Sequence, residues 1–432
     1  MLAKCVEPTI EKRYSNLKKI QVSLVYKAMI IRTFHPVNDN ERNNPDNVPG
    51  DREDNAEVMA RKRRILRSPN VFSIILLLST ILIFLVITHY VYFHRPDNLF
   101  PDQDVSLNLS LKRPAIRSLN ITIVAVINNV SQLSEYRFAL DTVRCYSKMH
   151  KYPFRLVKSY EYRHCRHRDG MFRRHCVVAE VLKTTDWVLF IDADIGVVNP
   201  NRLIEEYIDT NYDITFYDRF CSWEVAMGSY IVKNTDFSRR FLMNFANFET
   251  HLPDSFHGSD NGAIHAYLLE TLVPDSLKEA HVCYSIWHQS RGYSDLFLYE
   301  ACIRSILGSQ RNFEKVRIVK KGTGWVRDIW ITNSRWSPER DFMLHGLKEN
   351  DRSSYPDGVL SKLRSLISYR FTWYPPLSTN LDMQKCSTGS VEWHYDQRLR
   401  VSREEVEERL HELARTVEKD RWSALGRVQD YL

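Results

Sequence analysis

Two aspartates that directly follow an apolar segment are the residues of this 432-residue sequence best placed to do chemistry. Residues 187–191, WVLFI, are typical of a strand buried on both faces, and Asp192 and Asp194 come immediately after them. Ligands of layered α/β sheets bind beyond the carboxyl ends of the strands, where these carboxylates would lie. Carboxylate oxygens suit Mg²⁺ and Mn²⁺, which neutralise a diphosphate leaving group. The motif therefore predicts a divalent-cation site for a diphosphate ligand.

Other classes of protein place aspartates in a similar pattern. A calcium loop of the EF-hand type has glycine at its sixth position, where this sequence has Val197, which argues against that class. A phosphatase of the haloacid dehalogenase type also has a DxD motif after an apolar strand, and its first aspartate is the nucleophile. That motif normally ends the first strand, whereas here two strand–helix units come earlier. The phosphatase, and a membrane-tethered binding protein without turnover, stay as alternatives.

The elements around the motif predict how the two aspartates are positioned. Apolar runs predict strands at residues 121–127, 153–157, 187–191, 213–216 and 228–232. Helical spacing predicts helices at residues 134–150, 172–182, 237–248 and 261–272. Strands that alternate with helices pair in parallel through right-handed crossovers, so the domain is expected to begin as an α/β layered sheet.

A long apolar segment at residues 71–93 predicts a transmembrane helix, because it has no charged side chain and matches the roughly 20 residues that cross a bilayer. Five basic residues crowd positions 61–67, so the N-terminus is expected to be cytoplasmic and the C-terminal domain luminal. The sequons at Asn108, Asn120 and Asn129 all follow the segment, and Asn108 is the expected glycosylation site.

The chain therefore divides into five expected regions. Residues 1–70 form a largely disordered cytoplasmic tail, 71–93 the membrane helix and 94–118 a luminal stem. Residues 119–400 form the catalytic domain, and 401–432 an amphipathic helix that packs on the domain or on a partner. Ser402 and Glu405 form a capping box at the start of that helix.

Composition and cysteine content narrow the class further. Hydrophobic residues make up 44% of the chain, enough for a substantial core, and a net charge of +7 does not require a nucleic-acid partner. Seven of the eight cysteines follow the apolar segment, which predicts disulfides in an oxidising compartment. Because seven is odd, one thiol is expected to stay free or to pair between chains. No C-x-x-C occurs, so a zinc site is not expected.

Five stretches carry a resemblance to a known family. They are MFRRHCVVAEVL, WVLFIDADIGVVNP, YDRFCSWEVAMGSYIVKN, SFHGSDNGAIHAYL and DFMLHGLK. Together they make the span from about residue 121 to 345 resemble a glycosyltransferase of the GT-A fold. More narrowly, the span is similar to an uncharacterised nematode family related to the fungal Golgi galactosyl- and mannosyltransferases. The resemblance implies a mixed α/β sheet flanked by helices, which one transmembrane helix precedes.

The same resemblance implies a hexosyltransferase of the Golgi membrane, single-pass type II, with its C-terminal domain luminal. A nucleoside-diphosphate sugar would be the donor, and a hydroxyl of a glycan, glycoprotein or lipid would be the acceptor. Relatives retain the anomeric configuration, which implies retention here too. Asp192 and Asp194 would hold the metal together with His345, whose imidazole favours Mn²⁺ over Mg²⁺. Read alone, His345 after an apolar run would more often be a buried structural histidine. Oligomerisation stays open.

Basic residues in matching positions imply contacts to the diphosphate. Lys348 follows His345 by three residues, where similar enzymes place a cation against the phosphates. Arg173 and Arg174 begin the helix before the DxD strand, where a guanidinium binds phosphate through two hydrogen bonds. The plainer interpretation is that these are solvated surface cations.

Further residues would shape the sugar and acceptor pockets. Asp260 and Asn261 resemble the family's Asp-Gln pair that faces the reacting sugar, although both are also helix-capping types. In a retaining enzyme Asp260 would stabilise an oxocarbenium-like centre, whereas an inverting enzyme would need Glu224 or Asp260 as general base. The loop that resembles the acceptor pocket comprises Glu224, Met227, Gly228 and Ser229.

Overall fold

The structure of the chain is a computed structural model that describes residues 119–129, 133–353 and 372–431. The expected cytoplasmic tail, membrane helix and stem, together with Asn108, lie outside these residues. Within the three described ranges, no helix is both long enough and apolar enough to cross a bilayer.

Ten strands and eight α-helices occur in the described residues. The strands are β1 Ile121–Ile127, β2 Phe154–Lys158, β3 Trp187–Ile191, β4 Ile195–Val197, β5 Ile214–Tyr217, β6 Ser229–Lys233, β7 Asn312–Phe313, β8 Val316–Val319, β9 Val326–Asp328 and β10 Met343–His345. The helices are α1 Arg137–His150, α2 Gly170–Leu182, α3 Asp236–Asn247, α4 Ser259–Leu272, α5 His281–His288, α6 Tyr293–Leu307, α7 Met383–Thr388 and α8 Arg403–Leu425.

Seven strands form one mixed sheet, in the order β2-β1-β3-β6-β5-β8-β7. The first three strands are parallel, because β1 pairs in that sense with both β2 and β3. The sense then changes, since β6 is antiparallel to both β3 and β5. The expectation of an α/β fold with a mixed sheet and flanking helices is therefore confirmed.

Both faces of the central strand β3 are covered, which explains why all five of its residues are apolar. Val188 and Phe190 lie in the hydrophobic cluster that contains residues of α2, α3 and α4. Leu189 and Ile191 lie in a second cluster, which contains residues of α1. Alternate side chains of a strand point to opposite faces, so each cluster fills one side of the sheet. The strand cannot shift its register without moving apolar groups on both sides.

A second sheet of three short strands has the order β4-β10-β9. Strand β10 is antiparallel to β4 and parallel to β9, so His345 lies opposite Ile195 on one side and Asp328 on the other. This small sheet brings the late DFMLHGLK segment back to the DxD motif, because β4 begins one residue after Asp194. Three-residue strands are too short for a periodic pattern, and none of the three is predicted from the sequence.

Three disulfides join pairs of described cysteines. The bonded pairs are Cys145–Cys386, Cys165–Cys176 and Cys283–Cys302. Cys221 is disulfide-bonded as well, and no described cysteine is free. Of the two expected outcomes for the odd cysteine, a free thiol is therefore wrong, and pairing between chains is not tested. The first of these bridges ties α7 to α1 across 241 positions of the chain.

The C-terminal helix α8 begins with the Ser402 half of the predicted capping box, whereas the Glu405 carboxylate accepts a hydrogen bond from Arg335. The hydroxyl of Ser402 accepts a hydrogen bond from the backbone N–H of Glu405 at 3.3 Å. Val406 and Leu410 are buried in a cluster with Phe220 and Ile331. The helix therefore packs on its own domain, which was one of the two expected possibilities, the other being a partner.

Replacing Ser402 with alanine should lower the free energy of unfolding by about 0.5–2 kcal/mol, because the cap of α8 loses its acceptor. Urea unfolding of the full-length chain measures this change. Ser423→Ala is the matched control, since Ser423 is exposed and lies inside α8, where it caps nothing. Equal losses in the two variants would show that the cap contributes nothing.

Candidate metal centre

Three side chains that can bind a metal converge at the carboxyl end of β3. One ligand atom from each of Asp192, Asp194 and His345 lies within 4.8 Å of the other two. Backbone bonds fix the two aspartates, since the N–H of Asp192 donates to the carbonyl of Gly228 at 2.7 Å. On the other side, the N–H of Leu347 donates to the carbonyl of Asp194 at 2.9 Å. The motif and the distant histidine thus form one acidic cluster.

His345 is oriented as a metal-binding histidine is. Its Nδ1–H donates to Asp328 Oδ1 at 2.8 Å, because a carboxylate can only accept. Its Nε2 is buried without a hydrogen-bond partner and lies 3.4 Å from Asp194 Oδ1. Histidines that bind metals usually donate their other N–H to a carboxylate or carbonyl, which fixes the tautomer and ring orientation. The donor set therefore fits a divalent cation at Nε2 and the two aspartates.

The electrostatics of the cluster also favour a bound cation. Burial raises the pKa of Asp194, but His345 outweighs this effect and lowers it to about 2. Burial lowers the pKa of His345, yet Asp194 and Asp328 raise it to about 10. Burial raises the pKa of Asp192 to about 6 despite the guanidinium of Arg174. Two carboxylates thus hold a proton on the imidazole, and a metal ion would take the place of that proton.

Arg174 connects the DxD motif to Asp260. Arg174 lies on α2, and its side chain is buried. Its Nη1 donates to Asp192 Oδ1, and its Nη2 donates to Asp260 Oδ2. A solvated surface arginine is thus the wrong interpretation of Arg174. Arg173 does not reach the aspartates, because its Nε donates to the carbonyl of His167 at 2.9 Å. Of the two arginines, only Arg174 lies at the cluster, where its guanidinium is bonded to two carboxylates. Contact of either arginine with a phosphate stays a prediction.

Asp260 and Asn261 lie in the first turn of α4 but do not cap it. The helix follows Gly258, and no side chain caps its N-terminus. Asp260 Oδ2 instead accepts from Arg174 and from His175 Nε2, and its buried Oδ1 has no hydrogen-bond partner. Burial raises the pKa of Asp260, but Arg174 and His175 outweigh it and lower the pKa to about 2. Asn261 Oδ1 accepts from the N–H of Met227 at 3.2 Å, so it positions a loop.

Most residues expected in the acceptor pocket are buried in the core. The Ser229 hydroxyl donates to the carbonyl of Phe190 at 2.6 Å and accepts from Trp325 Nε1 at 2.8 Å. Met227 is fully buried as well. Neither side chain can touch an acceptor in this conformation. The structure therefore does not support the predicted place of Met227 and Ser229 in an acceptor pocket. Glu224 is also buried, and Arg219 Nη1 donates to one of its oxygens at 3.2 Å.

Gly228 has a different role from the expected one, because it makes room for the DxD motif. A Cβ at this position would lie 2.7 Å from Asp192 Oδ2 and 3.3 Å from its Cγ. The first contact is closer than real Cβ atoms come, so a side chain here would displace the Asp192 carboxylate. The Gly228 carbonyl also holds the Asp192 backbone. The glycine is therefore needed where β6 meets the end of β3.

Gly228→Ala should displace the Asp192 carboxylate and weaken Mn²⁺ binding roughly tenfold or more, with about 1–3 kcal/mol lost from stability through overpacking. Calorimetric titration of the full-length chain with Mn²⁺ measures the affinity. The control is Gly292→Ala, because no atom lies within 4 Å of a Cβ built there. Unchanged Mn²⁺ affinity in Gly228→Ala would contradict the role of Asp192 as a ligand.

A buried network that the sequence analysis missed supports His345. The Arg219 guanidinium donates to Asp328 at 2.9 and 3.1 Å and to Glu224 at 3.2 Å. Asp328 thus lies between Arg219 and His345, with its pKa held far below the usual range by Arg219 and His345 despite its burial. The sequence contained one signal for this network. Arg327 and Asp328 interrupt the apolar stretch WVRDIWI, and charged side chains are rarely buried unless they are paired.

Two further side chains lie close enough to affect the cluster. The ammonium of Lys348 lowers the pKa of Asp194, as expected of a cation beside the site. Tyr136, which comes just before α1, has its pKa raised by burial and then by the charges of Asp194 and Asp192. Both side chains are partly exposed, so they border the cluster on its solvent side.

The fold and the site together define a mixed α/β protein with a carboxylate–histidine cluster at the carboxyl end of a parallel strand. The family model described as "Protein of unknown function, DUF273" matches residues 143–362, slightly more than half of the chain. The chain belongs to this family. The matched segment contains Asp192, Asp194, Asp328 and His345. No curated protein matches the chain.

Similarity to solved structures is weak. One is described as "crystal structure of a glycosyltransferase involved in the glycosylation of the major capsid of PBCV-1"; it is 15% identical, with a TM-score of 0.34, over 52% of this chain and 92% of that chain. Another is described as "Crystal Structure of A197 from STIV"; it is 12% identical, with a TM-score of 0.19, over 29% of this chain and 67% of that chain. At these scores neither similarity bears on function.

Proposed function

We propose that the chain is a metal-dependent glycosyltransferase that moves a hexose from a nucleoside-diphosphate sugar to a hydroxyl of a glycan, glycoprotein or lipid. The observation that carries this proposal is the cluster of Asp192, Asp194 and His345. Its histidine is oriented by Asp328, and its Nε2 lies 3.4 Å from Asp194 Oδ1 without forming a well-aligned hydrogen bond. A purely structural histidine usually has both nitrogens in well-aligned hydrogen bonds when buried, because an unsatisfied buried polar atom is costly.

Each part of the site has a place in this reaction. A divalent cation held by the three ligands would supply positive charge against the diphosphate leaving group. Lys348, beside Asp194, adds a second cation for the same phosphates. Arg174 links Asp192 to the buried Asp260. The charge of Asp260 would stabilise positive charge on the sugar electrostatically, without contact. With retention, the departing phosphate accepts the proton of the acceptor hydroxyl.

Mn²⁺ is the proposed metal, and the Golgi lumen the proposed compartment. An imidazole ligand beside two carboxylates suits Mn²⁺ better than Mg²⁺. The disulfides of the described residues support an oxidising compartment. The apolar segment at residues 71–93 and the sequon at Asn108 support a single-pass type II anchor with a luminal domain. The resemblance of five motifs to Golgi galactosyl- and mannosyltransferases supports a hexose as the transferred group.

The test is release of nucleoside diphosphate from a panel of nucleoside-diphosphate sugars by the full-length chain with Mn²⁺. We expect release from at least one donor, and its loss in Asp192→Asn. Asp186→Asn is the matched control, because Asp186 is exposed at the opposite end of β3. No release from any donor, or equal release by both variants, would contradict the proposal.

The alternatives give different results with the same material. Hydrolysis of phosphomonoesters with a trapped aspartyl-phosphate at Asp192 would identify a phosphatase. Nucleotide binding that does not depend on metal, without turnover of either substrate class, would identify an inactive binding protein.

A further inference from the structure

An exposed basic loop, residues 163–168, lies between β2 and α2. Five of its six residues are arginine or histidine. Arg163, Arg166 and Arg168 are exposed, and none of the three guanidinium groups forms an ion pair with a described residue. The Arg166 guanidinium contacts only a backbone carbonyl, that of Arg163 at 3.1 Å. Within the part of the chain that the structure describes, the loop therefore presents three arginines without a carboxylate partner.

The carboxylates near the basic loop bond groups other than its guanidiniums. Glu180 Oε1 lies 3.4 Å from His164 Nε2. Glu249 accepts the backbone N–H of Arg168 at 3.0 Å and that of Asp169 at 2.5 Å. Asp169 itself accepts from the N–H of Met171 at the start of α2 and from the hydroxyl of Ser259. These acids fix the backbone of the loop, and none of them forms an ion pair with its three arginines.

The loop is also held rigidly. The Cys165–Cys176 disulfide joins it to α2, and the Arg173 guanidinium donates to the carbonyl of His167. His167 Nε2 bonds to Asn247 at the end of α3. A set of charges that is ordered before binding loses little conformational entropy when a ligand arrives. A merely solvated charge run needs no such attachment.

The position of the loop relates it to the candidate metal centre. It follows β2, which is parallel to β1, as β1 is to β3, so it leaves the sheet at the same edge as Asp192. The Ser259 hydroxyl that bonds Asp169 belongs to the residue before Asp260. The helix that the loop precedes carries Arg174. The loop thus adjoins the side of the site where Asp260 and Arg174 lie.

We propose that the basic loop binds an anionic group of the acceptor, so that the acceptor is an acidic glycan bearing carboxylate, sulfate or phosphate. This inference rests on the proposed function. Planar guanidinium groups match these anions through paired hydrogen bonds, which makes arginine the suitable cation here. An acidic glycan fits better than a membrane, because anionic lipids concentrate in the cytoplasmic leaflet and the domain is proposed to be luminal.

The experiment measures binding of oligosaccharides of equal length to the full-length chain. The probes are a neutral dextran fragment, a hyaluronan fragment with carboxylates only, a heparin fragment with added sulfates, and a phosphorylated mannan fragment. We expect at least one acidic probe to bind, with an affinity that falls as salt rises, and the dextran not to bind. The combined variant Arg163→Glu, Arg166→Glu, Arg168→Glu should lower that affinity roughly tenfold or more.

The control makes the same charge change at three exposed positions of α8, with Arg403→Glu, Arg409→Glu and Arg415→Glu, and should bind as the unaltered chain does. Equal binding of acidic and neutral probes, an equal loss in both variants, or tighter binding to phosphatidylserine vesicles than to any glycan would overturn the inference. The proposed function is tested by a separate experiment, in which Asp192→Asn should abolish release of nucleoside diphosphate. A thermal shift with Mn²⁺ in the basic-loop variant reports that its metal centre is intact.

Discussion

Arg174→Ala should destabilise the fold by about 3–5 kcal/mol, because it leaves the buried carboxylates of Asp192 and Asp260 without their shared cation. Asp260 is 1% exposed and Arg174 5%, so water cannot replace the lost charge. Burial alone would lower the pKa of Arg174, yet the two carboxylates raise it, which shows how strongly they hold its charge. Urea unfolding of the full-length chain measures the change. Saturating Mn²⁺ should restore part of the stability, because it neutralises Asp192.

The neighbouring arginine is a matched control for this prediction. Arg173→Ala removes the same group from the same helix, but the Arg173 guanidinium bonds only a loop carbonyl and is partly exposed. The free energy of unfolding of Arg173→Ala should therefore fall by no more than about 1 kcal/mol. Similar destabilisation in the two variants would show that Arg174 does not link the two aspartates.

Asp328→Asn should weaken Mn²⁺ binding by about 10–100-fold, the usual effect of losing the carboxylate that orients a metal-binding histidine. The variant keeps the size of the side chain and leaves Asp192, Asp194 and His345 unchanged. It removes the charge that fixes the Nδ1–H of His345, so Nε2 is no longer held toward the cluster. Calorimetric titration with Mn²⁺ measures the affinity directly, whether or not a donor sugar has been found.

Asp328→Asn also weakens a buried ion pair with Arg219, so stability and metal affinity must be separated. Asp341→Asn is the control, because Asp341 forms an equally buried pair with Arg327, with bonds of 2.7 and 2.8 Å, and does not contact His345. Both variants should lose stability, but Asp341→Asn should bind Mn²⁺ as the unaltered chain does. Equal Mn²⁺ affinities in the Asp328→Asn and Asp341→Asn variants would show that Asp328 does not support metal binding.

The parts of the fold that could be predicted are those with a strong local signal. Strand β1 and strand β3 are found at their predicted bounds, because each is a continuous apolar run covered on both faces. The cap at Ser402 was also predicted, since its chemistry lies within one turn of chain. Because β3 was predicted at its correct bounds, the sequence also predicts that Asp192 and Asp194 lie at the carboxyl end of this strand.

The remainder of the site depends on contacts between distant parts of the chain. His345 reaches the DxD motif only through β10 and β4, which are three residues each and have no periodic pattern. The roles of Arg219 and Asp328 arise because their side chains meet across 109 positions. Burial of Ser229 likewise follows from the antiparallel insertion of β6 beside β3, which alternating strands and helices do not predict. The resemblance led us to expect His345 near the DxD motif, and the structure brings it there. Metal binding by His345 stays a prediction.

The central claim, that Asp192, Asp194 and His345 bind one divalent ion, is tested most directly by electron paramagnetic resonance of Mn²⁺ bound to the full-length chain. Electron spin-echo modulation detects a nitrogen nucleus coordinated to the ion. The unaltered chain should bind Mn²⁺ and show this nitrogen signal. His345→Ala should lose the signal, and Asp194→Asn should lose the bound ion. Mn²⁺ that binds equally to all three proteins, or that shows no coordinated nitrogen in the unaltered chain, would contradict the claim.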